Sequence, residues 1–435
     1  MTDDQTPQGD DQTPQAGQEL IPEAEQLPAY HEEPVARPNS VSEYMKNWWI
    51  RVRAGELGSL PILVGLVIIA IIFGSLNDTF FSSRNFTNLL LQMSGWATIA
   101  IGVVFVLLIA EIDLSVAYNS AVGAVILTLL LRPGDPGLPW PVALLIALFV
   151  TTSVGLIMSL IITKAGVPSF VVTLAFNLGL SGVVLILTTS FSTAGTVLIQ
   201  DSVIKGLAGN FLTDAWGWIL AAAVVGGNVL MQLQKYRSRL ASGLPNRPVP
   251  IVIAQLVFVA IIVFGGVYVA NLDRGVPMVI LVLGILLAFW TFIASSTRFG
   301  RHVYAVGGNP EAARRAGINV DRVRIAVFMI GGLMAGIGGV ILASRLSSVA
   351  TNTGGGNLLL NVIAAAVIGG TSLFGGSGRV MSALLGAMVI ASVENGMGLL
   401  GLASGTKFVI TGLVLLAAVL VDALSKRGKA AAGVA

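Results

Sequence analysis

Two carboxylates, Glu111 and Asp113, stand two residues apart in the step EIDLS, with apolar runs on both sides. A carboxylate is costly at membrane depth unless it reaches water or a partner. The pair, closing on Ser115, therefore marks a broken helix or tight turn lining a cavity. Together with Glu394, set in another apolar run, it offers one chemistry: binding and releasing protons or cations, as an ion-coupled carrier does. A second chemistry is hydrogen bonding to a neutral polar solute. Gln92, Asn119, Asn177, Asn361, Glu394 and Asn395 lie within or beside apolar segments and could line such a path, though for each taken singly a hydrogen bond to a neighbouring helix is the simpler reading. Nucleophilic catalysis has little to work with. LASGTK (402–407) sets Ser404 beside a glycine, but the two histidines, His31 and His302, lie outside the apolar runs, so no general base is at hand. The chain has no cysteine, which removes disulfides, thiolate nucleophiles and Cys-ligated metals. Two distant histidines make no zinc site either. No Gly-x4-Gly-Lys-Ser/Thr phosphate loop occurs, so ATP has no such cradle in this chain.

The elements that must hold these groups are hydrophobic helices. Of 435 residues, 55% are hydrophobic and 11% charged, and mean hydropathy is +0.85. A soluble domain carries about 25% charged residues. Runs such as 60–77 and 249–271 hold no charge at all. About 20 residues of helix cross the ~30 Å apolar layer of a bilayer. The alternation a membrane barrel needs is missing. The expected fold is all-α and polytopic, with about twelve transmembrane segments near 58–77, 89–110, 114–131, 139–163, 168–189, 214–233, 249–271, 276–296, 325–345, 357–373, 380–400 and 407–424. Lysine and arginine set orientation. With both termini cytoplasmic, 19 of the 25 basic residues fall in inner segments, and only Arg84, Arg132, Lys205, Arg274, Arg345 and Lys407 fall outside.

The flanks read differently. Residues 1–41 repeat DDQTPQ and are acidic and rich in proline and glutamine, a composition that reads as a disordered cytoplasmic tail. Residues 42–57 mix Trp48 and Trp49 with Lys46, Arg51 and Arg53, which suits an amphipathic segment at the membrane interface. The transmembrane domain covers 58–424 and encloses a cytoplasmic loop at 298–324, and a basic tail occupies 425–435. Between 369 and 378 five glycines, with Gly375 and Gly376 among them, break any straight helix and form a second gating candidate beside Glu111, Asp113 and Ser115. NLLLQ (88–92) is echoed by NLLLN (357–361), which would suit an internal repeat. Gly331, Gly332, Ala335, Gly336 and Gly339 give the ninth segment a stripe for close helix packing.

The loop at 298–324 is punctuated more heavily than a lipid-facing loop requires. Asn309 is a good N-cap and Pro310 fits the first helical position. Glu311 sits at the positive end of the helix dipole, and Arg314 and Arg315 at the negative end. Gly317 can take the left-handed stop. The sequence specifies a two-turn helix over 310–316 whose Ala312, Ala313 and Ala316 make a small-residue face. Gly307 and Gly308 let the chain turn out of the eighth span. A short capped helix of this kind suits a groove on another protein.

Four stretches then combine. AVGGNPEAARRAGINV (305–320), EIDLSV (111–116), VPSFVVTLA (167–175) and NVIAAAVIGGTSLFGGSGRV (361–380) resemble permeases of ATP-binding-cassette importers of the ribose/xylose type, and the likeness runs from Asn85 to Leu424. The resemblance implies that 307–317 is the coupling element, docked on a cytoplasmic ATPase that binds the ATP and magnesium. This chain would carry no cofactor itself. The resemblance also implies an extracytoplasmic sugar-binding protein, a second permease copy as a homodimer, surrounding membrane lipid, no nucleic acid, and a bacterial cytoplasmic membrane. The chain departs from the family at Glu111 and Ala117, where relatives more often have glycine. Residues 214–271 add two spans to the usual ten, which favours the xylose-like branch. The competing reading is an ion-coupled carrier using Glu111, Asp113 and Glu394.

Overall fold

The computed structural model describes residues 41–53, 60–134, 137–244 and 246–431. Residues 1–40 of the acidic tail lie outside the described residues. The described chain is helical: α1 (Val41–Arg53), α2 (Leu60–Leu76), α3 (Ser83–Leu108), α4 (Val116–Leu130), α5 (Trp140–Lys164) and α6 (Ser169–Phe191) come first. Strand β1 (Thr196–Leu198), α7 (Ser202–Gly209), α8 (Asp214–Ala241), α9 (Val249–Asn271) and α10 (Met278–Ser296) follow. Then come α11 (Arg298–Gly308), α12 (Pro310–Arg315), α13 (Val320–Leu346), β2 (Ser348–Ala350), α14 (Leu358–Ile368), α15 (Met381–Leu399) and α16 (Ser404–Ala431).

Eight of these helices are long and apolar enough to cross a membrane: α3, α5, α6, α8, α9, α10, α13 and α15. Four shorter apolar helices complete the set, namely α2, α4, α14 and the 404–416 part of α16. The twelve sequence segments thus correspond one to one with helices, but not all are full spans. With 15 residues α4 rises about 22 Å, and with 11 residues α14 rises about 16 Å, against an apolar layer of about 30 Å. The tenth segment, expected over 357–373, stops as a helix at Ile368 because Gly370 turns left-handed with φ +97°. At the other extreme, α16 carries the basic stretch after 425 onward as helix to Ala431.

The core is built round α13. Its glycine stripe brings backbones into contact: a Cβ on Gly332 would collide with the Thr151 carbonyl of α5, and one on Gly339 with the Ser120 carbonyl of α4. The chain runs α3 antiparallel to α13, with Gly95 against Leu342 and Gly102 against Met334. Small residues let these helices approach closely where lipid supplies no hydrophobic drive. Around them Phe105, Phe328, Ile99 and Ile101 are buried. In contrast α8 buries only Gly217 and Ala221, and α9 only Val267 and Ala270. Their exposed Trp216, Ile219, Phe258 and Ile261 present an apolar surface all round, the signature of a lipid-facing hairpin. Where α3 begins and α13 ends, β1 and β2 pair antiparallel, Val197 opposite Val349, and tie two loops together.

Candidate coupling site

At the opposite end, where α3 stops and α13 starts, the punctuated loop forms two helices. Thr297 caps α11, accepting from the Gly300 N–H at 3.2 Å. Val303 and Val306 of α11 point into the core, leaving Arg301 and His302 exposed. Asn309 extends the backbone and its side chain accepts from the Ala312 N–H at 2.9 Å, worth about 1 kcal/mol for such a cap. The end of α12 is closed by Gly317 at φ +82°, with the Ile318 N–H reaching the Ala313 carbonyl at 3.0 Å. Asn319 then caps α13 through the Arg322 N–H at 2.9 Å. Both ends of α12 stand as the residues specify, one position shorter than 310–316 because Ala316 is the C-cap.

Two expectations about this loop need correction. Ala313 is 4% exposed and packs among Val303, Val306, Val320 and Val323, so it anchors α12 instead of sharing an outward face. The outward surface is Glu311, Ala312, Arg314, Arg315 and Ala316. Glu311 pairs with Arg314 at 2.9 Å in solvent, a contact worth little, and Arg315 has no partner among the described residues. Gly307 and Gly308 do not make the sharp exit from the eighth span; they are the last turn of α11. Gly307 is there for its size: a Cβ would collide with the Leu108 carbonyl and stand 2.7 Å from the Gly376 nitrogen.

That contact joins three breaks. The Gly376 N–H donates to the Leu108 carbonyl at 3.0 Å, satisfying an end of α3 that its own helix leaves open. A Cβ on Gly375, at φ +81°, would lie 2.7 Å from both the Ala110 Cβ and the Gly307 carbonyl oxygen. Tyr304 of α11 donates to the Gly378 carbonyl at 2.9 Å. Burial pushes the Tyr304 phenol up, with Arg379 pulling it partly back, which keeps it a donor. The Glu111 carboxylate lies 3.0 Å from the Arg324 Nε as an ion pair, out of line for a hydrogen bond. Just before Glu111 and past the end of α3, Ala110 takes the left-handed region at φ 61°, where glycine is usual. Asp113 accepts from the Ser115 N–H at 2.8 Å and its hydroxyl at 2.6 Å, forming the tight turn into α4. Ser169 and Thr173 of α6 bind the Ile112 backbone across this turn. Thus Glu111, Gly375 and Gly376 meet the candidate coupling loop at Arg324, Gly307 and Gly308, while Asp113 and Ser115 hold the turn into α4 against Met158 of α5. The sequence missed Tyr304 and Arg324; no spacing announces a partner more than 70 or 200 residues away.

The other predicted polar residues do not share one chamber. Asn119 on α4 donates to the Thr151 carbonyl at 3.2 Å, and its Oδ1 is buried with no partner. Asn177 on α6 and Asn361 on α14 also carry buried, unpartnered Oδ1 atoms. Asn395 on α15 is fully engaged in a reciprocal amide pair with Asn85 of α3, at 2.9 and 2.8 Å. Glu394 faces Asn357 at 3.5 Å and Thr411 at 3.4 Å. Gln92 on α3 is half-buried. Glu394 stands on α15 near the Asn85 end of α3, far from Glu111 and Asp113 at the other, so the three carboxylates form no single relay. Among the described residues no group of three His, Asp or Glu side chains could hold a metal ion.

Residues 85–419 match the family described as the permease component of branched-chain amino acid transport systems. The chain belongs to that permease family. The permease is 38% identical to the xylose transport system permease protein XylH of Escherichia coli, over 85% of this chain and 94% of that protein. Against XylH of Haemophilus influenzae it is 35% identical, over 87% and 99%. The ribose import permease protein RbsC of Escherichia coli is 32% identical, over 83% and 92%. No solved structure matches the permease. The chain is a multi-span membrane protein and one component of a transport system.

Proposed function

We propose that this permease is the membrane subunit of an ATP-driven importer for a monosaccharide, with a pentose such as xylose or ribose as cargo. The names of the relatives support the sugar, and their near full-length match supports a shared task. In this reading the permease lies in the bacterial cytoplasmic membrane with both termini inside and about twelve segments. Two copies form one path, a binding protein delivers the sugar, and a separate ATPase supplies the drive. Asn119, Asn177 and Asn361 offer free carbonyl acceptors to sugar hydroxyls, since a buried acceptor without a donor costs about 1–3 kcal/mol.

One observation carries the coupling role: α12 is capped at both ends, exposes one face, and is joined through Gly307 to the breaks that end α3 and α14. A push on α12 is therefore passed as backbone contact to Leu108 and Gly376, with Glu111–Arg324 holding α13 to the same point. Such a switch works only if nucleotide binding favours one arrangement over the other. The test replaces Ala312 or Ala316 by Trp on the exposed face. The co-expressed ATPase should no longer co-purify and uptake of labelled xylose and ribose should fall to background, while the melting temperature stays unchanged. Full co-purification and uptake in both variants would sink the docking role. Competition between the two pentoses in the unaltered transporter identifies the preferred cargo.

A further inference from the structure

Between α3, α8, α9, α10 and α15 the bundle leaves a slot of about 570 Å³. Leu90, Met93, Ile261, Leu283, Leu287 and Met388 form much of its wall, and every lining residue is apolar. No residue of the predicted sugar path enters it, and nothing there could bond a hydroxyl. Apolar cavities stay dry, and an empty one forfeits the dispersion contacts of its lining. The size is that of a small-molecule pocket. Glycines keep it open: a Cβ on Gly265 of α9 or Gly284 of α10 would meet nothing within 4 Å.

Cations stand over one end. Arg274, in the turn between α9 and α10, donates to the Asn88 side chain at 3.1 Å and pairs with Asp273 at 2.9 Å. Its guanidinium lies 4.5 Å from the centre of the Phe211 ring. These contacts use two of its five N–H donors and leave the rest free. Arg84 sits one helical turn before Asn88, exposed and without a partner among the described residues. Phe86, the first wall residue of α3, lies just beneath. Arginine and an aromatic ring above a hydrocarbon slot match the two halves of a membrane lipid.

The geometry points to a bound phospholipid: one acyl chain fills the slot and an anionic headgroup rests on Arg84 and Arg274. It belongs to the leaflet farther from α12, because Arg84 opens α3 and Leu108 closes it at the coupling site. The assignment stands independently of the transported sugar.

The experiment is native mass spectrometry of the full permease after exchange through mixed micelles of phosphatidylglycerol and phosphatidylcholine. The unaltered chain should retain one lipid, with phosphatidylglycerol preferred. Gly284→Phe, or independently Gly265→Phe, should abolish retention without lowering the melting temperature. Arg84→Ala should keep the lipid but reduce the preference for phosphatidylglycerol about five-fold, the effect of one arginine near a charged headgroup. A lipid-free unaltered chain, or equal retention by both glycine variants, overturns the proposal. So does efficient cross-linking between two copies of Gly284→Cys, which would make the slot a protein interface. The chain's lack of native cysteine makes that result unambiguous.

Discussion

At the scale of single residues, Asp113 shows how the break after α3 is balanced. Its carboxylate accepts from the Ser115 N–H at 2.8 Å and the Ser115 hydroxyl at 2.6 Å, and these bonds hold the turn into α4. Asp113→Ala leaves both donors without an acceptor at a buried site and should cost about 1–3 kcal/mol, read as a lower melting temperature. Asp113→Asn keeps an acceptor oxygen for Ser115 and should lose less. Equal melting temperatures for the two variants would show that the Ser115 bonds do not hold the turn. Side chains of this kind also divide what the sequence discloses. Asn309, Pro310 and Gly317 were legible because capping is local chemistry. The inward turn of Ala313 was not, because which side of a two-turn helix is buried depends on α11 and α13 folding over it.

At the scale of elements, the coupling loop turns on a pair of neighbouring glycines with different duties. The Gly307 Cα faces the Leu108 carbonyl, whereas a Cβ on Gly308 would meet nothing within 4 Å. Gly307→Ala should overpack the junction and cost about 1–3 kcal/mol, seen as a lower melting temperature and weaker expression. Gly308→Ala should melt as the unaltered chain does, or slightly higher, since alanine suits a helix better. Equal behaviour of the two variants would mean that the junction is looser than the geometry requires. Composition alone locates both glycines and gives them one role, that of a turn; only the distance to α3 separates them. The same holds for α14. Its apolar run reads on to 373, but the helix stops at Ile368 because Gly370 turns left-handed, and Gly369 stands too close to the Ser382 carbonyl of α15 to carry a side chain.

At the scale of the whole molecule, hydropathy located all twelve apolar helices, because lipid imposes one rule on every span. It could not grade their lengths, since α4 and α14 are completed by turns that count as apolar residues. Nor could it show that α8 and α9 form a hairpin packed mainly on itself. The orientation proposed from the basic residues has a direct check. Single cysteines at Ala312 and Ser202 stand on exposed helices at opposite ends of the bundle. A membrane-impermeant maleimide should label the Ser202→Cys chain in intact spheroplasts and the Ala312→Cys chain only in inverted vesicles. Labelling of both from the same face would overturn the proposed topology.

The bond from Gly376 to the Leu108 carbonyl has a further meaning for turnover. A single neutral hydrogen bond contributes about 0.5–1.5 kcal/mol net, only a few times thermal energy. Under the coupling role proposed above, a latch of that strength, made between two backbones, opens without melting either helix and closes again without a search through rotamers. The proposed cycle then asks only that this junction part and re-form at each turnover.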